Sequence, residues 1–269
     1  MRKLVVPLAL ATAATASISA QAQQAAPAPS PVTGNVTLAS EYRFRGIDQT
    51  YGKPAIQGGF DYSHASGVYL GNWNSNVSQG AGFPGGNIEM DFYGGWKKAF
   101  GDVGLDVGAI YYFYPGTDSG PGLVGAPFNN RTGAIHTGKV DNKEIYVGGT
   151  WKWLSAKFFY SLGDYFSAPD TKHSNYLDLA ANYDLGSGWG VVAHYGHLNF
   201  KNMANASYSD WKVGATKDLS GWVLGAAYVG TNAKGSCGSG EFYCFPNTSG
   251  TKARDAGRNT VVLSVSKSF

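Results

Sequence analysis

From Asn35 to Arg45 the chain alternates: Val36, Leu38, Tyr42 and Phe44 share one parity, and Asn35, Thr37, Glu41, Arg43 and Arg45 the other. A period of two marks a strand with one side in an apolar medium and the other in a polar one. The pattern recurs. Ile56, Phe60 and Tyr62 oppose Gln57 and Asp61; Ile88, Met90, Phe92 and Trp96 oppose Glu89, Asp91 and Tyr93. Val103, Leu105, Val107, Ala109, Tyr111 and Phe113 oppose Asp106, Tyr112 and Tyr114, and Ile145, Val147 and Trp151 oppose Glu144, Tyr146 and Lys152. Phe158, Tyr160 and Leu162 oppose Lys157; Leu177, Leu179, Ala181 and Tyr183 oppose Asp178 and Asn182; Trp211, Val213 and Ala215 oppose Asp210 and Lys212. Val261, Leu263, Val265 and Phe269 close the series against Thr260, Ser264, Ser266 and Ser268. Stretches near 67–77, 190–200 and 221–231 are also strand-like, which brings the expected number of strands to twelve.

The connectors alternate in length. Short ones are expected near 64–66, 98–101, 153–155, 186–188 and 218–221; long ones near 47–53, 78–86, 116–141, 166–173, 201–207 and 232–256. An even number of antiparallel strands, with short turns at one end and long loops at the other, is the pattern of a transmembrane β-barrel of the bacterial outer membrane. The short turns and both termini would then face the periplasm. A soluble sandwich alternates too, but it needs a charged outer face. Here the apolar parity carries few charges, and reversing it would put Arg43, Arg45 or Glu89 in lipid, at about 2–4 kcal/mol for an arginine near the midplane. Tyr42, Phe44, Trp73, Trp96, Trp151, Trp211, Trp222 and Phe269 are expected at the interfacial girdles.

Composition agrees. Only 14% of the 269 residues are charged, while glycine (38) and tyrosine (17) are abundant. No apolar run approaches the ~20 residues of a spanning helix. Arg2 and Lys3, the apolar stretch from Leu4 to Ala16 and the small-residue site Ala20-Gln21-Ala22 read as an export signal. The expected organisation is therefore a signal peptide (1–22), a Pro/Ala-rich tether (23–32) and an outer-membrane β-barrel (33–269) in a Gram-negative bacterium. Without the leader the charge is close to neutral, which gives no nucleic-acid footprint.

Three runs are more specific: Ser40-Glu41-Tyr42-Arg43-Phe44-Arg45-Gly46, Lys53-Pro54-Ala55-Ile56-Gln57-Gly58-Gly59-Phe60-Asp61-Tyr62 and Ser66-Gly67-Val68-Tyr69-Leu70-Gly71-Asn72-Trp73. With Tyr112-Phe113-Tyr114-Pro115-Gly116 and Asp210-Trp211-Lys212-Val213-Gly214, they resemble the TorF family of proteobacterial porins. The resemblance implies an outer-membrane channel without naming a solute. The chain departs from the family in its cysteine-bearing last loop. The terminal Phe269, with apolar residues two apart behind it, resembles the signal that hands barrels to their assembly machinery.

Chemistry candidates are few. Gly133 to Lys139 has GxxxxGK spacing, but Val140 stands where a phosphate-binding loop has Ser or Thr. His194 and His197, three apart, point to opposite faces of a strand and cannot share a metal. No serine, histidine or carboxylate set marks a catalyst, so an enzyme, a cofactor and a metal are not expected. Cys237 and Cys244 are expected to pair in the oxidising exterior. Function is placed on the polar face: Glu41, Arg43 and Arg45 on the first strand, Gln57 and Asp61 on the second, Glu89 and Asp91 on the fourth, Asp106 on the fifth and Glu144 on the sixth. Opposed charges across a narrow bore orient polar solutes. The competing reading is that these charges pair and plug the barrel. The leading expectation is passive diffusion of small hydrophilic solutes, the alternative a closed barrel acting as a structural or adhesion protein through its loops. The oligomeric state is not marked in the sequence.

Overall fold

The computed structural model of the chain describes residues 31–83, 85–117, 139–247 and 249–269. The leader at 1–22, nearly all of the tether, the greater part of the 116–141 loop and the 133–139 motif except its lysine lie outside the described residues. The elements are β1 (Val32–Ala39), β2 (Arg43–Phe44), β3 (Ile47–Asp48), β4 (Ala55–Ser63), β5 (Val68–Asn76), β6 (Ile88–Phe100), β7 (Val103–Phe113) and β8 (Asp141–Trp151). They continue with β9 (Leu154–Ser161), β10 (Asn175–Gly186), β11 (Trp189–Asn199), β12 (Tyr208–Leu219), β13 (Trp222–Thr231), β14 (Cys244–Pro246), β15 (Ala253–Asp255) and β16 (Thr260–Ser268).

Twelve of these strands form one closed antiparallel barrel, each paired with its sequence neighbour among the twelve, and β1 pairs with β16 to close it. The seam runs from Asn35 opposite Ser268 to Ala39 opposite Ser264. It is extended where the Phe269 N–H donates to the Gly34 carbonyl at 2.9 Å and the Gly34 N–H to the Phe269 carbonyl at 2.7 Å. A closed ladder leaves no edge strand. At the short-turn end, Ser187–Gly188 and Ser220–Gly221 have positive φ at both residues, as type I′ hairpin turns require.

The polarity is that of an inverted globule. Phe60 and Val213 are each 63% exposed on the outside, while Glu89 and Glu144 on the inside are 0% exposed. Val147, Phe158, Leu177, Leu224 and Leu263 continue the apolar outer belt. At the short-turn rim, lysines lie over aromatic rings: Lys267 over Trp222 at 4.7 Å, Lys217 over Trp189 at 5.0 Å and Lys152 over Trp151 at 5.0 Å. Such rim pairs keep the ammonium group outside the belt while the stem and the ring lie against it.

Tyrosine and glycine are coupled across part of the ladder. Across the ladder from Tyr93 stands Gly71, and from Tyr146, Gly108. A Cβ at either glycine would strike the facing tyrosine ring. Bare backbone therefore lets each ring lie across the neighbouring strand, and this occurs on the β5–β8 side of the lumen.

The first predicted strand is corrected. β1 stops at Ala39, and the chain turns inward through β2 and β3, whose two-residue turn is Arg45 (φ +47) and Gly46 (φ +79). A Cβ at Gly46 would meet the side chains of Thr231 and Asp210, so this turn seats against the opposite wall only with glycine. Tyr42 and Phe44, expected at the girdle, instead pack inside the barrel, and Trp73, 2% exposed, faces inward. Trp151, Trp222 and Phe269 are on the outside, and Trp96 and Trp211 are half-buried.

Val147, midway along β8, tests the polarity. Val147→Lys is expected to lower stability by about 2–4 kcal/mol in lipid vesicles, read by urea unfolding, whereas the inward Thr37→Lys costs less than 1 kcal/mol on the same scale. Equal losses would contradict the inside-out arrangement.

Candidate functional site

The lumen gathers the polar side chains, and the 40–54 connector folded into it brings together groups far apart in sequence. Arg45, at the connector's tip, meets the Glu144 carboxylate of β8 with both terminal nitrogens: Nη1 donates to Oε1 at 3.0 Å and Nη2 to Oε2 at 2.7 Å. Nη1 also donates to the Tyr165 hydroxyl at 2.8 Å, and the Tyr208 hydroxyl donates to the Arg45 carbonyl at 2.8 Å. The guanidinium lies 4.2 Å from the Tyr176 ring centroid and 5.1 Å from that of Phe159. Glu144 further accepts from Tyr112 at 3.2 Å and Asn142 at 3.2 Å. Burial opposes the charge on Arg45; Glu144, then Tyr165, more than offsets this, so its pKa stands above the ordinary value. Burial also raises the pKa of the Tyr165 hydroxyl. A dry, bidentate, fully bonded ion pair of this kind is the arrangement in which Coulomb attraction can repay desolvation.

A second knot lies where this connector meets the last long loop. Arg258 donates to Glu41 at 2.6 Å and to Asp48 at 2.8 Å, and Arg43 donates to Glu41 at 3.1 Å and to the carbonyls of Ala256, Arg258 and Gly46 at 2.9 to 3.1 Å. Cys237 and Cys244 are disulfide-bonded within that loop. Apolar, mostly aromatic side chains stand between the knots: Phe44, Ile47, Phe166, Phe200 and Phe245 line an apolar cavity of ≈ 110 Å³. The long-loop half of the lumen is thus packed as a core.

Each residue expected on the polar face lies in the interior, but Glu41, Arg43 and Arg45 do so from a connector rather than from the first strand. Gln57 donates to Ser75 at 3.3 Å, and Asp61 accepts from Tyr93 at 2.6 Å. Asp106 accepts from Tyr69 at 2.6 Å and from Lys157 at 2.7 Å. Glu89, which accepts from Tyr42 at 3.3 Å, and Asp91 are dry; Oε2 of Glu89 and Oδ1 of Asp91 have no partner. His194, set aside as a metal ligand, lies between Asp210 at 2.7 Å and Asp178 at 3.5 Å, while His197 bonds Ser209 on the outer face. Arg258, Asp48 and Lys157 were not singled out in the sequence. Asp48 falls in the expected 47–53 connector and Arg258 just past the expected 232–256 connector, where alternation carries no signal. Lys157 did stand on the polar parity.

Breaking the first knot from one side is costly. Arg45→Ala strands a dry carboxylate and is expected to destabilise by about 3–5 kcal/mol, with faster hydrogen exchange confined to the 40–54 connector. Arg45→Met combined with Glu144→Leu is expected to recover most of the loss. Unchanged exchange in Arg45→Ala would mean that the pair does not hold the connector.

Residues 23–269 match a family described as a bacterial protein of unknown function, Gcw_chp. No curated protein matches the chain. Among solved structures, the KdgM porin aligns with TM-score 0.49 and 10% identity over 88% of this chain and 99% of that one. The NanC porin gives 0.48 and 9% over 88% and 98%, and OmpT of Vibrio cholerae gives 0.39 and 10% over 88% and 97%. At these scores function has to be argued from the lumen itself.

Proposed function

Since the chain belongs to the Gcw_chp family, whose description carries no activity, we propose from its own geometry that it is a gated outer-membrane channel for small hydrophilic solutes. The observation that carries this reading is the inverted polarity: an apolar belt around a closed ladder that encloses charged and hydroxyl side chains. In hydrocarbon only helices and closed barrels satisfy every backbone group, and this closed ladder does so around a polar interior. The long-loop end is then extracellular, the short turns periplasmic, and residues 1–22 the export signal. Phe269, 70% exposed beside the seam, is suited to presentation to the assembly machinery.

The two ion-pair knots make the described conformation the closed one. The 40–54 connector is the plug. Arg45–Glu144 holds its tip against β8, and Glu41, Arg43, Asp48 and Arg258 hold its base against the last loop. Ser40 to Gly46, one of the three runs that resemble the TorF porins, falls on this plug. Expected pore-lining residues therefore act in two ways: Glu41, Arg43, Arg45 and Glu144 as the latch, and Gln57, Asp61, Glu89, Asp91 and Asp106 as the wall it closes against.

In planar bilayers the wild-type protein is expected to show long closures with brief stepwise openings. Glu144→Gln, which weakens the latch and keeps its shape, should raise the open fraction several-fold. Persistent silence of both proteins would overturn the channel and favour the closed structural or adhesive barrel.

A further inference from the structure

The inward faces of the twelve strands differ along the bore and around it. Toward the long loops the inward side chains of β4 to β10 are large or charged and buried: Gln57, Trp73, Glu89, Tyr112, Glu144, Lys157 and Tyr176 are all 8% exposed or less, while Gly104, Thr150 and Ala180, nearer the short turns, are small and half-exposed. From β11 through β12, β13 and β16 to β1 the small, half-exposed residues Gly190, Gly214, Thr216, Gly225, Ala227, Ser264, Ser266, Asn35 and Thr37 face inward, with buried Leu198, Tyr208, Asp210 and Val229 nearer the long loops and buried Val223 near the short turns. These strands are consecutive around the barrel, and their residues are lateral neighbours. Gly190 stands opposite Thr216, Thr216 opposite Gly225, Gly225 opposite Ser264, and Ser266 opposite Thr37. The result is one continuous strip of small polar wall.

Resting on the channel reading, we propose that solute passes along this strip, on one side of the lumen, and that the strip selects uncharged solutes rich in hydroxyl or amide groups. Steric room comes from the absence of long side chains there. Selectivity comes from the chemistry of the wall. Asn35, Thr37, Thr216, Ser264 and Ser266 both donate and accept hydrogen bonds but carry no charge. Of the charges that border the strip, His194 lies between Asp178 and Asp210, Lys212 stands directly across the ladder from His194, and Asp61 on β4, beside β1, accepts from the Tyr93 hydroxyl. A sugar-like solute exchanges water for hydroxyl partners at little cost, whereas an ion gives up hydration to a wall whose own side chains carry no charge. The upper end of the strip runs under the Glu41–Arg43–Arg258–Asp48 knot, so displacing the plug opens this side.

The only two cysteines of the chain are disulfide-bonded, so single cysteines can be introduced into the natural sequence. Thr37→Cys and Ser264→Cys are placed on the strip; Ser75→Cys and Ser155→Cys face inward on the opposite half, where both serines are buried. All four replace a hydroxyl by a thiol and should fold, as checked by the folded band on unheated gels. In proteoliposomes treated with a charged methanethiosulfonate reagent, the strip thiols are expected to label at least tenfold faster than the other two. Labelling them, in the Glu144→Gln background, should cut open-channel conductance several-fold. Liposome swelling should be several-fold faster with a neutral polyol than with an anion or a cation of the same size. Equal labelling of all four thiols, or labelled strip thiols with unchanged conductance, would overturn the path. Swelling that is equal or faster with an ion would overturn the solute class. A silent Glu144→Gln channel whose strip thiols still label would overturn the channel reading, and the path with it, while leaving a wet strip.

Discussion

The seam between β1 and β16 is the constraint on which the rest depends. Once Asn35 to Ala39 pairs with Ser264 to Ser268, no strand has a free edge, and the backbone makes no demand on its surroundings. The outer face is then free to be apolar throughout, and the inner face can hold charges that neither lipid nor a globular core would accept. In hydrocarbon an unpaired peptide group costs several kcal/mol, so the alternation along each strand follows from closure rather than from local propensity.

Closure also determines how the mouth can be sealed. A rigid cylinder cannot narrow by collapsing its wall, so the lumen has to be filled from the connectors. Segment 40–54 does this with a tight turn at Arg45–Gly46. The strained φ of +47 at Arg45 is a local cost, of order 1–3 kcal/mol in general, repaid by the bonds of its side chain to Glu144 and Tyr165. Charge pairing inside the barrel is thus structural at its long-loop end.

How much of this was legible depended on whether backbone periodicity reported it. The parity of Ile56 against Gln57, of Ile145 against Glu144 and of Leu177 against Asp178 described which way each side chain points, because a ladder imposes a period of two with no tertiary knowledge. The same rule misled at Tyr42 and Phe44. Alternation continues from Leu38 through Ser40 to Arg45, but Gly46 with its positive φ and Pro54 beyond it belong to an inward hairpin that happens to keep the period. Inside a plugged barrel both surroundings of that hairpin are protein, so its parity no longer separates lipid from water. Arg258 was invisible for another reason: its partners Glu41 and Asp48 lie more than two hundred residues away, and no pattern in one sequence couples positions that distant. Cys237 and Cys244, by contrast, were readable from compartment chemistry alone.

The unequal halves of the lumen follow from the pairing of tyrosine with glycine. A tyrosine that lies across the glycine of an adjacent strand reaches into the bore and covers its neighbour, as Tyr93 does over Gly71 and Tyr146 over Gly108. Repeated along one arc, this fills that side and dries the carboxylates behind it. On the other arc, toward the short turns, many partners are small on both sides, as with Gly225 and Ser264. A uniform ring of tyrosines would have closed the bore, and a uniform ring of serines would have left no dry surface to hold Glu144 and its arginine. Placing the two chemistries on separate arcs lets one barrel keep a buried latch on one wall and a wet surface on the other.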